Sequence, residues 1–406
     1  MIAALLAVPG IYFRLAGIHL DPIISVIVAG AAVMGASFLL LWACDAAQSD
    51  ISQTLALAIV ALVAVLPEYA VDMYFTWMAG KHPESDYAHY AIANMTGANR
   101  LIIGLAWVAV AVIYWIKTRK AVQLEKDRRI ELSFLGMATL YAFIITIKGS
   151  LAWYDGIIFI GMYVWYIALA SKRPCTESEI EGPAHVILAL PIKKRRIATI
   201  SMFLYAAGAI LANAEPFCEG LIGTGKALNI NEFLLVQWLA PIASEMPEFV
   251  VAIVFAIRKQ AGLALGSLLS AKVNQWSLLV GMIPGVYAVS AKTISHPIPM
   301  NSLQMHEILL TAAQSLLAVI IIASRRLTIG NAILLFVLFT GQLLAPSLVG
   351  MLPGGTLLGI GGDKMHQLFT AFYLVTALAI YLDRPGRMRG FMLGFKDHSA
   401  KKCREE

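Results

Sequence analysis

The sequence is poor in charge and lacks the motifs of soluble enzymes. Charged residues make up 14% of the 406 residues, whereas a soluble domain carries about 25%. There is no Walker loop, no HExxH motif and no nucleophile elbow. The four cysteines are scattered, without the spacing of a metal site or a disulfide framework. These absences argue against a soluble enzyme and against a cysteine metal site, and we expect no cofactor.

A nucleic-acid partner and a cleaved signal peptide are also disfavoured. The net charge of +6 arises from basic residues in short loops and in the C-terminal tail, which is a membrane-anchoring pattern. The first residues lack the basic segment of a signal peptide. They predict instead a possible extra helix near 2–17, although Pro9 and Arg14 weaken that prediction.

Long apolar runs are what the sequence has in abundance. Hydrophobic residues make up 59% of the chain, and the runs approach the roughly 20 residues that a helix needs to cross a bilayer. We predict an all-α, multi-pass transmembrane helical bundle of about 10–12 spans in a lipid bilayer. The predicted spans are 22–46, 52–79, 88–116, 130–147, 151–171, 196–223, 231–257, 261–289, 305–323, 326–350 and 364–383.

The basic loops predict the orientation of these spans. Segment 117–129 holds six basic residues, and the later basic loops are each separated from it by an even number of spans. All of them therefore fall on one side, which the positive-inside rule assigns to the cytoplasm. We predict a cell-membrane protein with cytoplasmic basic loops and a cytoplasmic C-terminus.

Two segments repeat a Pro-Glu pair inside an apolar span. LPEYAV at 66–71 resembles MPEFVV at 246–251, and a small-residue helix follows each copy, at 91–104 and 264–281. The span starting near 52 runs from inside to outside and the span starting near 231 runs the other way. The two copies are therefore inverted, as in secondary transporters that bind their substrate near the bilayer midplane.

The predicted organisation has five parts. They are a first inverted repeat at 22–171 with its motif region at 52–116, a cytoplasmic linker at 172–195, a second inverted repeat at 196–350 with its motif region at 231–289, an additional C-terminal transmembrane helix at 364–383, and a basic cytoplasmic tail at 384–406.

Charged and amide side chains cluster near the span centres of both repeats. Glu68 and Asp72 are four residues apart and share a helix face, and Glu245 and Glu248 are three apart and also share one. A charge at this depth costs about 2.5–3.5 kcal/mol on insertion scales, so such side chains are expected to face the interior and find partners. The helices that follow carry further polar groups: Asn94, Asn99, Arg100, Ser267, Ser270, Lys272, Asn274 and Gln275.

The prolines next to the glutamates suggest cation binding. Pro67 and Pro247 cannot donate backbone hydrogen bonds, and a freed carbonyl beside a carboxylate is a hard oxygen ligand suited to Na⁺ or Ca²⁺. Two other interpretations remain open. The prolines could only kink helices for packing, and Lys272 and Arg100 could neutralise the carboxylates in a permanent salt-bridge network.

These motifs resemble those of the cation/Ca²⁺ exchanger superfamily. In that family each repeat carries a Thr-Ser-x-Pro-Glu-type motif, followed by a helix with a Gly-Asn-x-x-Gly-Ser-Asn-like run. The corresponding second elements here are ANMTGAN at 93–99 and GSLLSAK at 266–272. The resemblance covers about 22 to 350 and implies the exchanger fold and a role in cation exchange.

The sequence departs from the family pattern at several ligand positions. The Thr-Ser before Pro is replaced by Ala and Val at 64–65 in the first repeat and by Ser244 and Glu245 in the second. Lys272 stands where the family has an Asn or Asp ligand, and its ammonium could take the place of a bound cation. The candidate cation ligands are Glu68, Asp72, Asn94, Asn99, Ser244, Glu245, Glu248 and Ser267, with Lys272 and Arg100 as site-modulating charges.

The residues and the resemblance together predict a secondary active antiporter. It would exchange Ca²⁺ or Na⁺ for H⁺ or Na⁺ by alternating access at Glu68 and Glu248, as a monomer or homodimer whose partners are inorganic cations and lipid. One alternative keeps the fold but has the cation site plugged by Lys272 and Arg100, leaving a protein that moves another ion or acts as a sensor. An intramembrane enzyme is disfavoured because no metal-ligand histidine lies near the glutamates in the sequence.

Overall fold

A computed structural model of the chain describes residues 2–47, 50, 65–125, 128–171, 184–293, 296–351, 356–357 and 360–383. The first part of the predicted span 52–79, residues 172–183 of the predicted linker and the predicted tail at 384–406 lie outside the described residues.

The described chain is almost entirely helical. Its helices are α1 Ile2–Leu15, α2 Pro22–Ala47, α3 Leu66–Lys81, α4 Tyr87–Leu101, α5 Trp107–Thr118, α6 Arg129–Lys148, α7 Trp153–Ala170, α8 Ala184–Leu188, α9 Ile192–Leu228, α10 Glu232–Ile257, α11 Ala261–Asn274, α12 Val280–Ser290, α13 Ser302–Ile322, α14 Ile329–Gly350 and α15 Met365–Asp383. Two antiparallel pairs of two-residue strands accompany them, β1 Val122–Gln123 with β2 Arg326–Leu327 and β3 Thr356–Leu357 with β4 Ile360–Gly361.

The prediction of a multi-pass helical bundle is confirmed. Nine helical segments within the described ranges are long and apolar enough to cross a membrane. The predicted spans 22–46, 130–147 and 305–323 correspond to α2, α6 and α13, with ends that differ by a few residues. The expected extra N-terminal helix is present as α1, with Pro9 inside it.

The chain forms two compact units. Unit one contains Met1–Asn94 and Ile167–Pro247, and unit two contains Met95–Tyr166 and the described part of Glu248–Asp397. Each unit therefore draws segments from both predicted repeats. The repeats stay a prediction about the sequence, and the compact units do not coincide with them.

Small residues let the helices of unit one approach closely. Helix α2 packs against α1 and along α9, and its inner face is rich in alanine and glycine. A Cβ atom at Gly35 would lie only 2.5 Å from the carbonyl oxygen of Ala3. Lipid offers little hydrophobic force between helices, so this close van der Waals packing is a main source of their association.

Aromatic side chains complete the core of unit one. Phe75 of α3 and Phe217 of α9 are buried in one cluster with Tyr90 of α4 and Leu221 of α9. Phe75 and Tyr90 lie with ring centroids 5.8 Å apart, within the range in which aromatic pairs attract. This cluster holds α3, the helix with the first Pro-Glu pair, against α9.

Helix α13 is a central element of unit two. It packs against α6 and α15, and most of its side chains are buried. Its start is fixed by a capping box, because the Asn301 side chain accepts from backbone N–H groups while the Gln304 side chain accepts from the Asn301 N–H.

Two π-helical turns interrupt the helices that carry the second motif element of each repeat. They span Ile102–Ala106 and Gln275–Leu279, and each begins three residues after the aligned positions Asn99 and Lys272. Wide turns of this kind are rare and are frequent at functional sites. Their matching positions support the alignment of the two repeats.

The two Pro-Glu prolines occupy different places in their helices. Pro247, like Pro241, lies inside the continuous helix α10, as the mid-span prediction requires. Pro67 instead lies in the first turn of the described helix α3, where the missing N–H is tolerated. The carbonyl of Val63, which Pro67 was expected to free, lies outside the described residues.

We predict that Gly104→Ala destabilises the protein. A Cβ atom at this position would lie 2.1 Å from Cγ of Phe339, so the π turn and α14 would have to separate. The expected loss is about 1–3 kcal/mol, measured as a lowered unfolding temperature in detergent.

The matched control is Gly161→Ala in α7, where an added Cβ would meet nothing within 4 Å. An equal change of the unfolding temperature in the two variants would contradict the packing assigned to Gly104.

Candidate functional site

Helix α3 carries the two acids of the first repeat into the interior of unit one. Glu68 and Asp72 lie in its first half, and their exposed fractions are 2% and 0%. Their spacing of four residues places both on one helix face. Burial of two carboxylates on one face is costly unless protons, cations or hydrogen-bond donors compensate them.

Asn94 of α4 provides one such donor. Its Nδ2 donates to Oδ1 of Asp72 at 2.7 Å, and the Asn94 side chain is fully buried. Within the described residues, Oδ2 of Asp72 and Oδ1 of Asn94 are buried and accept no hydrogen bond. Two oxygen atoms on neighbouring helices are therefore left available for a cation.

An acid of the second repeat joins those of the first. Glu245 of α10 is 3% exposed, and its carboxylate is close enough to Asp72 to repel it electrostatically. The neighbouring Ser244 is buried and donates to the carbonyl oxygens of Ala240 and Pro241 at 3.2 and 3.3 Å. The structure thus brings together predicted ligands from both repeats within one unit.

This acidic cluster has an unbalanced charge. Among the described residues of unit one, the buried charged side chains are Glu68, Asp72 and Glu245, and all three are acidic. We call these three residues with Asn94 the acidic core. A low-dielectric interior disfavours several like charges, so uptake of protons or cations would stabilise the acidic core.

Unit two holds a buried positive charge instead. Lys272 is 0% exposed, and its Nζ donates to Oδ1 and to the backbone carbonyl of Asn99, at 2.7 and 2.9 Å. The ammonium also lies 4.8 Å from the ring centroid of Trp276, a cation–π distance. The position aligned with a family ligand therefore presents an ammonium to amide and carbonyl oxygens, as a bound metal cation would.

Arg100 forms a buried ion pair with a residue that the sequence analysis did not select. Its guanidinium contacts the carboxylate of Glu307 in α13, and the two side chains are 1% and 0% exposed. His366 of α15 has Nδ1 at 3.0 Å from the other oxygen of Glu307. Gln314 donates to the backbone carbonyl of Arg100 at 3.3 Å.

Glu307 had a signal in the sequence that could have found it. It is the one acidic residue in the apolar helix Ser302–Ile322, and an acid within a span is a functional hypothesis by default. Glu131 of α6 is a second missed acid, with Ser270 donating to it and Arg128 beside it, each at 3.3 Å.

Two predicted ligands differ from the rest in burial. Ser267 of α11 is exposed, unlike the other predicted hydroxyl, Ser244. Glu248 of α10 is half-buried. The roles of both as cation ligands stay predictions. Within the described residues, no three His, Cys, Asp or Glu side chains form a metal-binding group, so a cation in the acidic core would need amide, carbonyl or water oxygens as well as carboxylates.

We predict that Arg100→Gln is strongly destabilising, because it leaves Glu307 buried without its cation. Removal of one partner of a buried ion pair costs about 3–5 kcal/mol, measured by unfolding in detergent. The exposed Arg326→Gln serves as control.

The double variant Arg100→Gln with Glu307→Gln should lose much less stability than the sum of the single losses. Additive losses would show that the two side chains are not coupled.

Comparison with known proteins identifies a matching family model and a similar membrane protein. A family model described as "Sodium/calcium exchanger protein" matches residues 22–172 and 198–347. An uncharacterized membrane protein of Methanocaldococcus jannaschii is 25% identical over 217 residues, which is 53% of this chain, and the chain spans 64% of that relative's length.

Solved structures give similar results. The crystal structure of the H⁺/Ca²⁺ exchanger CAX is similar with a TM-score of 0.89 and 39% identity, covering 98% of this chain and 95% of that one. The Ca²⁺/H⁺ antiporter protein YfkE matches with a TM-score of 0.59 and 15% identity, covering 94% and 99% of the two chains. The sodium-calcium exchanger NCX_Mj matches with a TM-score of 0.51 and 18% identity, covering 77% and 94%. The last two likenesses show the fold alone. Because the family model covers most of the chain, this multi-pass membrane protein belongs to the sodium/calcium exchanger family.

Proposed function

We propose that the protein exchanges Ca²⁺ for H⁺ across the membrane by alternating access, with the acidic core as the first half of its cation site. The observation that carries the proposal is the buried Asp72–Asn94 pair, in which one oxygen of each side chain accepts no hydrogen bond among the described residues. Buried Glu245 lies within electrostatic range of this pair. This arrangement is suited to a small hard cation.

Competition for the same carboxylates would couple the two ions. When the core acids are ionised they attract Ca²⁺, and when they are protonated their affinity for it falls. A ligand that binds two states equally shifts neither of them, so exchange requires that Ca²⁺ and H⁺ exclude each other. A neutral or fully paired site lacks this property, which is why the acidic excess of unit one supports antiport.

Two observations favour Ca²⁺ over Na⁺ as the cargo. The relative with 39% identity is described as an H⁺/Ca²⁺ exchanger. In addition, the ammonium of Lys272 already binds the oxygens of Asn99, where the resemblance would otherwise suggest room for a monovalent cation. Because Lys272 supplies a fixed positive charge at this position, fewer Na⁺ ions would be bound there, which disfavours Na⁺ as the transported ion.

Glu248 is the proposed counterpart of Glu68. The Pro-Glu pairs at 67–68 and 247–248 are the most similar elements of the two repeats, and inverted repeats each contribute to transport sites in such proteins. The basic residues of loops such as Arg258–Lys259 and Arg325–Arg326 lead us to propose a cytoplasmic-membrane location with these loops inside.

We expect Glu68→Gln and Asp72→Asn each to reduce Ca²⁺ flux by about tenfold or more, because neutral amides cannot exchange protons for Ca²⁺. Flux is measured in proteoliposomes with an imposed pH gradient. Glu84→Gln, an exposed carboxylate in the loop after α3, is the matched control.

Unchanged flux in the double variant Glu68→Gln with Glu248→Gln would refute the proposal. If Ca²⁺ flux does not respond to the pH gradient but is driven by a Na⁺ gradient, the protein is still an antiporter, and its counter-ion is Na⁺ rather than H⁺.

The second candidate function is a transporter-derived protein whose site Lys272 blocks. The direct bonds from its Nζ to Asn99 favour this reading. Under the main proposal, Lys272→Asn retains Ca²⁺ flux and makes it newly sensitive to Na⁺. Under the alternative, wild-type protein is inactive towards Ca²⁺ and the Lys272→Asn variant gains flux.

A further inference from the structure

Unit one contains a cavity separate from the acidic core. Its volume is about 290 Å³, and helices α1, α2 and α9 enclose it with the turn between α1 and α2. Glu68, Asp72 and Glu245 do not line it. The polar side chains of its wall are Arg14, His19, Ser25, Asn213, Glu215 and Glu219.

Glu219 presents to this cavity a carboxylate oxygen that accepts no hydrogen bond from the described residues. Its Oε1 accepts hydrogen bonds from the hydroxyl groups of Tyr74 and Tyr87, at 2.8 and 2.6 Å. Within the described residues its Oε2 accepts none. The two tyrosines therefore orient the carboxylate while leaving one oxygen and the negative charge for a ligand.

Asn213 supplies a second oxygen from a buried position. The side chain is 1% exposed, and its Nδ2 donates to the carbonyl of Ala209 at 2.9 Å. Its Oδ1 accepts no hydrogen bond in the described part of the chain. Gly10 makes room for this oxygen, since a Cβ atom there would lie 2.1 Å from Oδ1.

The net charge of the side chains that line the cavity favours a cation as its ligand. Arg14 and Glu215 form an ion pair at its surface and are about half exposed, at 45% and 47%. Among the carboxylate and guanidinium groups that line the cavity, Glu219 is the one without an ion-pair partner in the described part of the chain. The volume is many times the roughly 10–15 Å³ that one water molecule requires, so an ion can keep most of its hydration shell.

The cavity lies at one end of unit one. The C-terminal end of α2 leads to Asp50, which accepts a hydrogen bond from Arg195 in the first turn of α9 at 2.9 Å. The cavity is at the opposite end, near the start of α2 and the second half of α9. The basic loops assign this end to the extracytoplasmic side.

From these contacts we propose that the cavity is a second cation site, which binds hydrated Ca²⁺ through Glu219 and Asn213 on the extracytoplasmic side. Few protein ligands and a large water share characterise weak Ca²⁺ sites with dissociation constants of about 10⁻⁴–10⁻³ M. The Glu219 carboxylate connects α9 to Tyr74 of α3 and Tyr87 of α4. A cation bound at Glu219 would therefore also affect the position of α3, the helix that carries Glu68 and Asp72.

The test measures Ca²⁺ binding after two of the three core acids, Glu68 and Asp72, have been replaced. In the background Glu68→Gln with Asp72→Asn, equilibrium dialysis with radioactive Ca²⁺ should detect one site of about 10⁻⁴–10⁻³ M. Adding Glu219→Gln should weaken it at least about tenfold, although the amide still accepts from both tyrosines. Adding Arg14→Gln should tighten it severalfold, because Glu215 is released, whereas Glu84→Gln should change nothing.

A second measurement uses otherwise wild-type protein. Terbium bound at Glu219 should luminesce on tyrosine excitation because Tyr74 and Tyr87 are adjacent, and Ca²⁺ should compete with it. Loss of this signal in Glu219→Gln supports the site, and an unchanged signal overturns it.

The outcomes separate this proposal from the exchange function. If the core-deficient background binds no Ca²⁺ while wild-type protein transports it, the cavity site is wrong and the exchange function stands. If wild-type protein transports no Ca²⁺ but the background still binds it through Glu219, the exchange function is wrong and the cavity site stands.

Discussion

The cost of burying carboxylates in a low-dielectric interior is the constraint on which this structure depends. Asp72 and Glu245 come from different predicted repeats, are almost fully buried and repel one another. Each ionised group removed from water costs several kcal/mol unless an opposite charge or a proton compensates it. The acidic core therefore has a different stability and a different ligand affinity in each protonation state, and that difference is what an antiporter uses.

The chain deals with its buried charges in two ways. In unit two, Glu307 is neutralised by Arg100 and supported by His366, a pairing fixed by the fold. In unit one, the described buried charges are acidic only. A carboxylate with a permanent internal partner serves structure, because its charge is already satisfied. Buried acids without a nearby buried cation respond to pH and to cation concentration, because a proton or a metal ion changes their charge.

Hydropathy and repetition were sufficient to predict much of this arrangement. The described long helices coincide with predicted apolar runs, although their ends differ by several residues. The repeated motifs identified Asp72, Asn94 and Glu245, which lie in one unit. Glu307 was missed because its partner Arg100 is 207 residues away in the chain and α13 lies outside the repeated motifs. Pairing across such a separation has no local sequence signal, so only the folded chain reveals it.

The bond between Lys272 and Asn99 joins two positions that the predicted inverted repeats align. The two residues occupy aligned positions, each three residues before a π turn. Two asparagines at these positions would offer oxygens to a shared mobile ion. With lysine at one position, the positive charge is tethered to the chain and the asparagine oxygens bind it directly. A fixed positive charge therefore lies against the oxygens of Asn99, where a bound cation would otherwise be needed to supply it. A tethered charge cannot be transported, so under the proposed exchange function the mobile ions would be bound by the acids of unit one rather than at Lys272.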